Sequence, residues 1–112
     1  YYLYVGSAKA NLTKRIERHK RKRKQKHWHI DYFREHCEFV AALPIRTSAD
    51  LECPIADSIK EISEWTIPGF GCSDCHCQSH LFAMAKNPIH SPAFMDIVEN
   101  YRMNRLDDVL LP

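Results

Sequence analysis

Tyr1-Tyr2-Leu3-Tyr4-Val5-Gly6-Ser7-Ala8-Lys9-Ala10-Asn11-Leu12-Thr13-Lys14-Arg15-Ile16-Glu17-Arg18-His19 reads as a strand, a glycine turn and the first turns of a helix. Side chains alternate across a pleated backbone, so Tyr2 and Tyr4 share one face of the strand and Leu3 and Val5 the other. Gly6 lets the chain turn closely at the strand's end. Asn11 stands where a helix cap belongs, and Leu12, Arg15, Ile16 and His19 follow at i, i+3, i+4 and i+7. That stripe should face the sheet, yet two of its four members are basic. A buried cation without a partner is costly, so an anionic ligand is the natural reason for the pair.

Around this unit the chain is short, at 112 residues, which suits one domain with a single core. Its 45% hydrophobic and 27% charged residues are ordinary for a soluble globular protein. No apolar run reaches the length of a membrane span and no secretory pattern opens the chain, so no membrane partner and a cytoplasmic, intracellular location are expected. The net charge is only +2, but nine of the sixteen Lys and Arg residues fall between Lys14 and Lys26. Such segregation suits a surface that meets polyphosphate. Lys14, Arg18, Lys20, Arg21, Lys22, Arg23, Lys24 and Lys26 form the candidate strip, each neutralised phosphate releasing counterions. The competing reading is a solvated tail whose self-repulsion shortens the helix.

Further along, Trp28 and Tyr32 are i, i+4 and predict a small core cluster, while His29 and Asp31 are candidates to steady a tautomer or a phosphate. The apolar run within Glu38 to Arg46 predicts a strand closed by Pro44. Thr47 or Ser48 should then cap a helix with Leu51, Ile55, Ile59 and Ile62 as its apolar stripe. Glu52 lies near that helix's start, where an acid favours the dipole. Two glycines in Trp65 to Gly71 predict an irregular backbone. Next comes Cys72-x-x-Cys75-x-Cys77-x-x-His80. Those four groups could hold zinc, or the thiols could be reduced and pack a tight loop. Five cysteines, an odd number, argue against a simple disulfide framework. From Pro92 a last helix, with Phe94, Ile97, Val98 and Tyr101 at helical spacing, should pack outside the core.

Tyr4-Val5-Gly6 followed by Asn11-Leu12-x-x-Arg15-Ile16-x-x-His19 resembles the second half of the GIY-YIG nuclease signature. The blocks Trp28-His29-Ile30-Asp31-Tyr32 and Phe70-Gly71-Cys72-Ser73-Asp74-Cys75-His76-Cys77-Gln78-Ser79-His80-Leu81 resemble an uncharacterised branch of that superfamily, and the similarity covers roughly residues 1 to 82. It implies an α+β fold with a small mixed or antiparallel sheet of about three strands flanked by helices. Residues 1–86 would form the nuclease-like domain and 87–112 a C-terminal amphipathic helical extension. Superfamily members carry an earlier Gly-Ile-Tyr strand, so the chain reads as N-terminally truncated.

The implied activity is metal-dependent endonucleolytic cleavage of DNA, in repair or recombination, with RNA as the second substrate class. By the same resemblance Tyr4 would activate or align water, Arg15 steady the phosphate and His19 relay a proton. His29 would be the second histidine, and Glu52 would hold one Mg2+ or Mn2+. A phenol with a pKa near 10 serves as a base only where a cation lowers it. Ser73-Asp74 or Ser79-His80 stands where other members present a late asparagine. The alternative is a non-catalytic nucleic-acid-binding module built on the Lys14 to Lys26 strip.

Overall fold

The structure, a computed structural model, describes residues 1–8, 10–46, 50–71 and 79–110, with the backbone alone from 103 onward. Along the chain run β1 (Tyr2–Tyr4), α1 (Leu12–Lys20), α2 (His29–Arg34), α3 (Glu52–Ile62), β2 (Trp65–Thr66), β3 (Leu81–Ala83), a 3-10 turn (Pro88–His90) and α4 (Pro92–Leu110). The strands form one antiparallel sheet in the order β1-β3-β2. The fold is therefore α+β, a three-stranded sheet with helices, as the sequence predicts.

Register follows from the alternation of β1. Leu3 stands opposite Phe82, and Tyr2 and Tyr4 stand opposite Ala83 and Leu81. Beyond the strand, Val5 N–H donates to the His80 carbonyl at 2.9 Å, which carries the ladder toward the site. The Leu3 face meets α3 and α4, where Ala56, Ile59, Phe82, Phe94 and Val98 form the core. Leu3, Val5, Leu43, Ile55, Ile62 and Ile97 pack around it. Burial of aliphatic and aromatic side chains of this size stabilises the fold by roughly 1.5–3 kcal/mol each.

Several expectations change. Phe94 and Val98 are core residues, so α4 completes the core rather than lying outside it. Tyr101 bonds its hydroxyl to Ser58 Oγ at 3.1 Å, which ties the two helices at their polar margin. The run 38–46 is not a strand and pairs with no strand among the described residues. Leu43 still reaches the core. Pro44, which has no N–H, offers its carbonyl to Arg102 at 2.8 Å, so that backbone group is satisfied by a side chain instead of a ladder.

Asn11 precedes α1 in the left-handed region, with φ 55, and its carbonyl rather than its side chain accepts the N–H of Arg15. Thr47 and Ser48 lie outside the described residues. Leu51 precedes the first residue of α3, and Pro54 sits in the first turn, where its missing N–H costs no helical bond. Cys53 is disulfide-bonded, and Cys37 is free. Among the described residues, no helix is long and apolar enough to cross a membrane.

Candidate functional site

The site lies where the end of β1, the inward stripe of α1 and the first turn of α3 converge. An open cleft of about 800 Å3 is lined there by Tyr4, Ser7, Arg15, His19 and Glu52, among others. Strand alternation turns Tyr4 toward α1, and its ring meets His19 edge-on at 5.8 Å and Phe70 at 6.3 Å. Gly6 is required by this approach, because a Cβ there would stand 2.9 Å from Tyr4 Cε2. Burial, reinforced by the negative charge of Glu52, pushes the Tyr4 phenol up to about 12, and Arg15 offsets only part of the shift. The phenol is thus a proton donor at neutral pH. Arg15 by itself does not bring the phenol into the range of a base.

His19 is neutral at pH 7. Burial, then the charge of Lys24, pushes its imidazole down to about 4. Its Nδ1 is buried and has no hydrogen-bond partner among the described residues. An orphaned ring nitrogen beside a cleft can receive a ligand or a proton. Arg15 donates to the Ser7 carbonyl at 3.2 Å and stacks its guanidinium 4.3 Å from the Trp28 ring centroid. The Arg18 guanidinium lies 4.5 Å from the same centroid. Trp28 therefore orients arginines rather than forming a core pair with Tyr32, which is exposed beneath the ammonium of Lys26.

Glu52 is held at both carboxylate oxygens. Ser7 Oγ donates to Oε2 at 2.8 Å, and His80 Nδ1 lies 2.8 Å from Oε1. His80 is 2% exposed, and its main chain is bonded to Phe70 and Val5, so its ring is a fixed support. The carboxylate stands between Ser7 and His80, which is not the order of a serine nucleophile activated by an imidazole. Two of the four lone-pair sites of Glu52 are left for a ligand. Mg2+ and Mn2+, which keep water and bind through one or two carboxylates plus substrate phosphate, suit that donor set.

His29 is set apart from this group. It lies 5.8 Å from Phe70, whose other contacts include Tyr4, and its Nδ1 faces the N–H of Gly71 at 3.4 Å. Asp31 does not orient His29 either. It is 0% exposed and accepts both Arg18 guanidinium nitrogens at 2.7 and 2.8 Å, the N–H groups of His27 and Trp28, and a 3.6 Å approach from Lys24. Burial opposes the charge of Asp31, but the Arg18 guanidinium and the two N–H groups outweigh it and hold the carboxyl well below the usual range.

Asp31 also reorganises the basic strip. Lys24, only 4% exposed, folds back to donate to the carbonyls of Arg18 and His19, capping the C-terminus of α1. Arg34 caps it from α2, through the carbonyls of His19 and Lys20. Residues 21–28 are consequently tied to the domain and not a solvated tail. Lys20, Lys22 and Lys26 pair with Glu17, Glu38 and Glu35 at the surface. Lys14, Arg21 and Arg23 are exposed and form no ion pair among the described residues, so they are the cations most open to an incoming phosphate.

Ser7 is not distinguishable as a site-building residue in the sequence, where Trp28 reads as a core residue and Lys24 as one cation of the strip. A serine after a turn glycine and a lysine inside a basic run carry no local signal of their distant partners. Cys72, Cys75 and Cys77 of the zinc alternative lie outside the described residues, as do Ser73 and Asp74. No group of three or more His, Cys, Asp or Glu side chains arranged for a metal occurs among the described residues.

No curated protein and no solved structure matches the chain. The family model described as Domain of unknown function DUF123 matches residues 1–103, and the chain belongs to that family.

Proposed function

We propose that this domain is a metal-dependent phosphodiesterase acting on DNA, with the cleft between β1, α1 and α3 as its active site. The observation that carries the reading is the convergence on one cleft of a protonated phenol, a stacked arginine, a neutral histidine with an orphaned nitrogen and an oriented carboxylate. Each is suited to one part of phosphodiester hydrolysis. The resemblance to the GIY-YIG signature at Tyr4, Arg15, His19 and Glu52 supports the same reading.

In this scheme Arg15 meets the scissile phosphate, its guanidinium pre-oriented by Trp28 and Ser7, and offsets the charge that develops there. Tyr4, held as a phenol, donates a hydrogen bond that aligns the attacking water or a phosphate oxygen. His19 accepts the water's proton at its unpartnered nitrogen, its basicity raised when phosphate brings negative charge into the cleft. Glu52 would hold one Mg2+ or Mn2+, which supplies Lewis-acid polarisation of the phosphate. Lys14, Arg21 and Arg23 contribute sequence-independent attraction to the backbone.

Nicking of supercoiled plasmid in Mg2+ or Mn2+ tests the scheme. Glu52→Gln and Arg15→Ala should each slow nicking by about 100-fold or more. Parent-like nicking by both variants would sink the mechanism. A parent that binds DNA but never nicks it in either metal would leave the second reading, a binding module.

A further inference from the structure

We infer that Tyr2 and Trp65 form a stacking platform for unpaired nucleobases, so that the preferred ligand of this surface is single-stranded nucleic acid. The inference rests on the nucleic-acid reading above and specifies the strandedness that reading leaves open.

The platform follows from register. Tyr2 and Trp65 are both opposite Ala83, one from β1 and one from β2, so the three side chains form a row on one face of the sheet. Each aromatic residue is 55% exposed. Ala83 between them is too small to fill the space above the sheet. Adjacent strands lie ~4.8 Å apart, which places the two aromatic positions about 10 Å apart across the alanine. That span is about three rises of a stacked strand at ~3.4 Å each.

The row continues into the cleft. Tyr4 is two residues along β1 on the same face, and Tyr2 is braced edge-on by Phe33 at 4.9 Å. Phe33 in turn meets Phe70 at 5.9 Å, and Phe70 meets Tyr4. One ring of the platform is thus rigidly linked to the proposed catalytic phenol. Trp65 makes no ring contact among the described residues, so its faces are open to a ligand.

The occupant is identified by this combination of flat rings and charge. Exposed aliphatic groups would suit another protein's apolar surface, whereas this row presents two aromatic rings, and Tyr2 at one end of it lines the same cleft as Arg15. Bases stack on aromatic rings without regard to sequence, and only an unpaired base offers its full face. A duplex keeps its bases stacked internally and can use the cations alone.

The test uses the full chain in EDTA, with fluorescein-labelled dT12 and a 12-base-pair duplex as probes. Stacking on an aromatic ring is typically lost as about a tenfold weakening on replacement by alanine. Trp65→Ala should therefore weaken dT12 binding about tenfold and duplex binding less than about twofold. Trp65→Phe, which keeps a ring, should restore most of the affinity. Equal binding of dT12 by the parent and Trp65→Ala, or an equal loss for both probes, overturns the platform while leaving the nuclease reading intact. Failure of the parent to bind either probe at low salt overturns both.

Discussion

Replacing Asp31 by asparagine should destabilise the domain more than any change at an exposed acid. Its two oxygens receive the guanidinium of Arg18 and two backbone N–H groups, all between 2.7 and 2.9 Å, with Lys24 at 3.6 Å. An amide keeps the shape but turns a donor toward at least one of those donors, and it carries no charge. Breaking a buried ion pair from one side costs about 3–5 kcal/mol. The Arg18 side chain is 19% exposed, so water relieves part of the loss there, and Lys24 is nearly enclosed. The lower end, about 3 kcal/mol, is the expected cost. For a domain of this size about 4 °C accompanies each kcal/mol, which gives a drop in Tm of about 12 °C at pH 7.

The pH dependence supplies an independent check. The Asp31 carboxyl is held below its ordinary value in the folded state, so its stabilisation is complete above about pH 4 and is lost as pH falls through the folded pKa. Thermal melts by circular dichroism should accordingly show parent and Asp31→Asn converging as the pH is lowered to about 2. A variant melting within about 3 °C of the parent at pH 7 would refute the reasoning, as would a gap undiminished in acid.

Two further outcomes follow from the site itself. His19 should show no titration between pH 6 and 8 in NMR spectra of the folded protein, because its pKa is lowered to about 4. The unfolded chain takes up that proton near pH 6.5, so stability should fall as pH descends from about 6.5 toward 4, and a His19→Gln variant should lack this component. A His19 shift moving with a midpoint near 6.5 would contradict the burial argument. Gly6→Ala places a Cβ 2.9 Å from Tyr4 Cε2 and must displace the ring. Overpacking at this site should cost about 1–3 kcal/mol, with nicking per folded molecule falling more than about tenfold, and unchanged nicking would remove Tyr4 from the mechanism.

Local pattern was enough to read the strand–turn–helix of residues 1–20, the apolar stripe of α3 and the existence of α4. Each of these depends on a repeat of two or of 3.6 residues that neighbours in sequence supply by themselves. The inward placement of Tyr4, Arg15 and His19 was legible for the same reason. What a residue meets at the far end of its side chain was not. Nothing near Ser7 or His80 announces that both will hold Glu52, because their hydrogen bonds close only after β1, β3 and α3 are assembled. The run 38–46 has the composition of a strand, but a strand exists only where a second backbone lies alongside, and here Arg102 satisfies the Pro44 carbonyl instead. Tertiary structure likewise decided which cations remain available to a ligand. A row of like charges reads as uniform in sequence, whereas one buried carboxylate, Asp31, withdraws Arg18 and Lys24 from the surface because an unpaired charge in the interior would cost more than the loss of two exposed ones.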